Sequence, residues 1–248
     1  MQTNSNNYSH FADAHSNSRP ARLLIPRSQR RIFFVQFTLM TIVGWVVGGI
    51  VSIAVEKIFW QSLLPTFANQ PQVWSFCVRL LGNIVFAVVF AADQALVMRR
   101  YLSGWLWILA TSIGWLLANG VSTAWINYIA TLANSSAQTL TTEASLTLGF
   151  LSTFLYILSG IWLGLLQWLV LRRYTVKTWW WNFFPSFSFF CISLVVWLLS
   201  LMKNLIPAAG MYWIEQGFTA MILGVIPAIG LCTLRKQLQR QAGIPRSS

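Results

Sequence analysis

The sequence predicts an all-α integral membrane bundle of six transmembrane helices, arranged as three parallel-related hairpin repeats. Three observations lead there. Apolar residues make up 56% of the chain and charged residues only 9%, against about 25% charged in an ordinary soluble domain. The apolar residues fall in six blocks of roughly twenty, the length that crosses a hydrocarbon layer. A Gln-x-Leu-Val-x-Arg-Arg-Tyr run occurs twice, at Gln94 to Tyr101 and at Gln167 to Tyr174.

The elements follow in order. Residues 1–30 read as a disordered cytoplasmic tail, because Met1 to Ser18 is rich in Asn and Ser and has no apolar centre of the kind a secretory signal needs. The first span, about Ile32 to Val55, follows Arg30 and Arg31; the second, Val78 to Met98, runs into Arg99 and Arg100. Spans three and four are Trp105 to Leu132 and Leu146 to Leu171, the latter ending at Arg172 and Arg173. Spans five and six are Trp179 to Met202 and Phe218 to Leu234, and the last runs into Arg235 and Lys236 before a short tail at 237–248. Segments of this length satisfy their own backbone hydrogen bonds in lipid only as helices.

Charge sets the expected orientation. Arg19, Arg22, Arg27, Arg30 and Arg31, with Arg99, Arg100, Arg172, Arg173, Lys177, Arg235, Lys236, Arg240 and Arg246, fall on the side of the termini. Lys57, Arg79 and Lys203 fall on the other, together with Glu56, Glu143 and Glu215. Such a bias places both termini in the cytoplasm, with the cell (inner) membrane as the expected location and an internal bacterial membrane as the alternative. The net charge of +12 is spent at the membrane borders, so no nucleic-acid partner is expected.

The repeat has a period of about seventy residues, or two spans. Thr41-Ile-Val-Gly44-Trp45 echoes Thr111-Ser-Ile-Gly114-Trp115, and Leu234-Arg235-Lys236 is a weaker third copy of the Arg turn. The hairpin units are therefore about 31–100, 101–173 and 174–236, all sharing one orientation, within one domain at 31–236. Small residues at four-residue spacing, Gly44 and Gly48, Gly114 and Ala118, Gly160 and Gly164, Gly224 and Ala228, predict close helix contacts inside the chain. The run Gln167-Trp168-Leu-Val-Leu-Arg172-Arg173 followed by Trp179-Trp180-Trp181 resembles repeats in uncharacterised bacterial multi-pass membrane proteins. The likeness spans most of residues 80–240 and implies the repeat architecture without implying an activity.

An ionisable group inside a span is a functional candidate, and Asp93 is the clear case. Two readings stay open for it: an ion-pair partner of an Arg from a neighbouring hairpin, or a proton, cation or ligand site together with Gln94 and Gln167. Gln36, Asn83, Asn119 and Asn127 are expected as interhelical glue. Arg99, Arg100, Arg172, Arg173, Arg235 and Lys236, with Trp105, Trp107, Trp179 and Trp180, are the candidate contacts for lipid headgroups, the indoles acting as an aromatic belt. No catalytic pattern is present, and no His lies in a span: His10 and His15 are both in the tail. Cys77, Cys191 and Cys232 lack metal or disulfide spacing. The chain is accordingly expected to be no enzyme, to carry no cofactor or metal, and to bind membrane lipids, another membrane protein or a second copy of itself. The alternative is a small-solute or ion transporter or channel built on Asp93, Gln94 and Gln167.

Overall fold

The computed structural model describes residues 23–63, 71–135, 141–176, 178–202, 205 and 207–236. Six long helices account for most of them: α1 (Arg30–Leu63), α2 (Pro71–Met98), α3 (Gly104–Ser135), α4 (Thr142–Leu171), α5 (Phe183–Leu201) and α6 (Ala208–Thr233). Each packs on its neighbour in sequence, and α6 closes back on α1. All six contain a stretch long and apolar enough to cross a membrane. Arg19, Arg22, Lys177, Lys203, Arg240, Arg246, His10 and His15 lie outside the described residues, as do most of the expected N-terminal tail and all of the C-terminal one.

Five of the six helices run further than the apolar blocks that predicted them; α5 is shorter than its block, whose start, Trp179–Asn182, is a 3-10 turn. At 34 residues and 1.5 Å per residue, α1 is about 50 Å long, well beyond the roughly 30 Å of a hydrocarbon core, and it carries Glu56 and Lys57 in its last turns. The stretch from Lys203 to Gly217, expected as an outer connection, is mostly the start of α6. Pro207 precedes the first residue of that helix, where a missing N–H costs nothing. Glu215 therefore sits two turns inside a helix, and like Glu56 it is a carboxylate in a helical body beyond the apolar block. Pro185 lies in the first turn of α5 and is buried, and Pro227 lies within α6.

The small-residue ridges pack within the chain, as expected. A Cβ on Gly44 would lie 3.3 Å from the Phe90 Cα on α2, and one on Gly114 would lie 2.9 Å from the Leu163 Cα on α4. Phe90 and Leu163 each stand four residues before their hairpin's glutamine. Gly160 and Gly164 let α4 meet the backbone of Ser186 and Asn182, and Gly224 lets α6 meet Thr38 of α1. Loss of a side chain at these points is what brings the backbones close enough for dispersion contacts.

The Arg-rich turns gather at one end of the bundle, here the arginine end. There β1 (Thr175–Val176), after α4, pairs antiparallel with β2 (Arg235–Lys236), after α6, and Leu23 bridges to Arg235. Ile25 is fully buried and Leu24 nearly so, and the Leu24 N–H donates to the Leu234 carbonyl at 2.9 Å. Residues 23–30, read from sequence as the end of a tail, are thus an ordered strap across this end.

Two apolar layers fill the bundle. One, near the arginine end, holds Phe33, Phe37, Met98, Trp107, Leu171, Trp181 and Leu231. The other is aromatic: Trp45, Trp115 and Phe189 meet at mid-bundle, with ring centroids 5.6 Å and 6.3 Å apart. Outside, α1 exposes Ile32, Val46, Ile50 and Ile53, and α4 exposes Phe150 and Phe154.

Candidate binding site

Gln94 and Gln167 are each locked in a buried three-residue network. Gln94 accepts from the Trp107 indole N–H at 3.3 Å and donates to the Thr41 hydroxyl oxygen at 3.4 Å. Gln167 accepts from Trp181 at 3.1 Å and donates to Thr111 at 3.2 Å. An indole N–H can only donate, so it fixes which way round each amide lies. The Thr41 hydroxyl is already donating to the Phe37 carbonyl at 2.7 Å, which leaves its lone pairs to the amide. In each case a hairpin's glutamine ties that hairpin's first helix to the first segment of the next hairpin. The pair therefore acts as interhelical glue, and both side chains are buried.

Trp107 is corrected by the same geometry. Expected among the headgroup contacts, it is fully buried with its N–H engaged, because the helix places it on the α2-facing side of α3 rather than beside the exposed Trp105. Trp105 and Trp179 are 67% and 64% exposed, as a belt requires, and Trp180 is partly buried against Phe184. Trp181, left out of the headgroup set, is the equivalent buried indole; its spacing of 14 residues from Gln167, against 13 for Trp107 from Gln94, was the available signal.

Asp93 stands beside Gly44 on the α1 flank of α2: a Cβ on that glycine would fall 2.9 Å from the Asp93 carboxylate. Among the described residues no ion pair reaches it, so the Arg partner that one of its two readings called for is not found. Gln36, Asn83 and Asn127 are exposed rather than bridging helices.

At the arginine end, Arg99, Arg100, Arg172, Arg173, Arg235 and Lys236 are all exposed, and Arg172 lies 5.2 Å over the Trp168 ring. The tyrosine that follows each Arg pair clips its hairpin shut. Tyr101 donates to Gln29 at 3.1 Å, and Tyr174 accepts from the Ser103 N–H at 3.3 Å. Burial is the main influence on the Tyr101 phenol and pushes its pKa up, against a smaller opposing pull from Arg100, so the donor stays protonated.

At the far end lies a feature the sequence did not suggest. Beyond Gly160 and the stacked rings of Tyr156 and Phe189, 5.0 Å apart, α4 and α5 form facing walls of a cavity of about 1,010 Å³. Phe150, Phe154 and Trp197 line its flanks, and all three are more than half exposed. Behind them lie Asn119 of α3, Tyr156 of α4, and Glu215 and Gln216 of α6. The Trp45 indole donates to Gln216 Oε1 at 3.1 Å, which leaves the Gln216 amide nitrogen as a donor. Trp115 lines the cavity too, and its buried indole nitrogen has no hydrogen-bond partner.

Among the described residues no group of three or more His, Cys, Asp or Glu side chains could hold a metal ion. No family model, curated protein sequence or solved structure matches the chain.

Proposed function

We propose that this chain is a multi-pass protein of the cell (inner) membrane, without catalytic activity, that binds a membrane lipid in the far-end crevice between α4 and α5. One observation carries the reading: a cavity at the upper end of the size of small-molecule sites has exposed aromatic side walls and a polar back wall, the division an acyl chain and its head require. The distribution of side chains supports the bilayer as solvent. Thr41, Gln94, Thr111, Ser112 and Gln167 are buried while Val46, Ile50, Phe150 and Phe154 face outward, the reverse of a water-soluble bundle. The gathering of Arg turns at one end supports a cytoplasmic placing of that end and of both termini.

The repeat belongs to the same reading. Trp107 and Trp115, Trp181 and Phe189, and Phe37 and Trp45 are three pairs, each eight residues apart and each contributing one ring to each apolar layer. On that register Gly230 of the third unit stands where Gln94 and Gln167 stand, Pro185 where Thr41 and Thr111 stand, and Phe37 where the indoles stand. All three members of the polar network are replaced together, as a buried network that must be fully satisfied requires. Three parallel hairpins around an axis along the membrane normal account for these equivalences. Transport through Asp93, Gln94 and Gln167 draws less support, because both amides are buried and each bonds two neighbouring segments.

Filling the crevice tests the lipid reading. Ser193→Trp should reduce by one the lipids that native mass spectrometry finds retained per chain after mild detergent extraction. Unchanged retention in a folded variant contradicts it.

A further inference from the structure

The crevice carries more information than its shape, because its charge is of one sign. Its one charged side chain among the described residues is Glu215; no Lys or Arg lines it. A donor without a protein acceptor stands beside it: the amide hydrogens of Gln216, whose oxygen is already taken by Trp45. Around them stand the side chains of Trp45, Trp115 and Tyr156.

We propose, building on the lipid reading above, that the crevice selects amphiphiles whose head bears an ammonium group beside oxygen acceptors. Glu215 takes the ammonium through a charge-assisted hydrogen bond, the strongest polar contact available to it. The surrounding rings offer their negative faces to the same cation. Gln216 donates to the ester or phosphate oxygens, and the hydrocarbon chain leaves between Phe150 and Trp197 toward the bilayer. An anionic head without an amine would place like charge against Glu215 in a weakly screened setting and leave the carboxylate unpaired.

The probes are phosphatidylethanolamine and phosphatidylglycerol with identical acyl chains, mixed in equal amounts in nanodiscs holding the full-length protein, with retained lipid read by native mass spectrometry. Wild type should retain the ethanolamine lipid at least about tenfold over the glycerol lipid, the discrimination expected of one charged hydrogen bond. Glu215→Gln should bring the ratio close to one, and Glu215→Asp, which keeps the charge, should preserve it. Equal retention by wild type, or a preference that survives in Glu215→Gln, overturns the ammonium assignment and leaves the lipid site standing. Retention that Ser193→Trp does not reduce overturns both.

Discussion

Replacing Gln167 by Leu probes the better formed of the two buried networks. The change strands the Trp181 N–H, which has no other partner and is fully buried, and removes the amide that donates to Thr111. An unsatisfied buried donor costs about 1–3 kcal/mol, whereas interhelical hydrogen bonds measured in membranes average about 0.6 kcal/mol and reach about 1.7. With two bonds at 3.1 and 3.2 Å, we expect Gln167→Leu to destabilise the protein by about 1–3 kcal/mol. Part of any loss comes from altered packing, so the clean quantity is the coupling between Gln167 and Trp181. A cycle of Gln167→Leu, Trp181→Phe and the double variant, unfolded reversibly in bicelles, subtracts the smaller volume of phenylalanine. The coupling should be about 1 kcal/mol. A value below about 0.3 kcal/mol would mean that the indole and the amide are merely neighbours, and the network would not be what joins the second hairpin to the third.

Three further outcomes follow from the packing. Gly160→Ala drives a methyl to 2.7 Å from the Ser186 backbone nitrogen, while a Cβ on Gly49 meets nothing within 4 Å; the first should cost about 1–3 kcal/mol by overpacking and the second should be neutral or slightly stabilising, compared by thermal unfolding in detergent. Ile25→Ala empties a fully buried position of the strap and should cost about 2–5 kcal/mol, with faster proteolysis at the arginine end as a second readout. Asp93→Asn, which removes a charge with no ion pair, should leave assembly and thermal stability unchanged or improved; a loss of more than about 1 kcal/mol would show that the carboxylate is holding a partner.

The long apolar blocks and the repeated Gln-x-Leu-Val-x-Arg-Arg-Tyr run made the six helices and their internal glycine contacts legible, because helix length and small-residue spacing are local properties. Helix ends were less so. Glu56 and Glu215 look like loop residues by charge, yet α1 and α6 carry them, since a helix costs little to extend past an apolar stretch once its ladder is formed. Trp107 and Trp105 are two residues apart and identical in kind, and only the helix register, some 200° between them, separates a buried network member from an exposed ring. Asp93 drew attention through its charge, while the far-end crevice arises from α4 and α5 together with residues of α1, α3 and α6. No short stretch of sequence contains it.

The bilayer as solvent underlies every energetic statement above, and its most direct test is the sidedness of the two ends. In a cysteine-free background, Ser28→Cys places a thiol on the strap and Glu143→Cys places one at the exposed start of α4. With a membrane-impermeant maleimide, intact cells freed of any outer barrier should label the Glu143→Cys variant, and the Ser28→Cys variant only after permeabilisation. Labelling of both in intact cells, or recovery of the protein in the aqueous fraction, would contradict a bundle that spans the membrane with its arginine end inside.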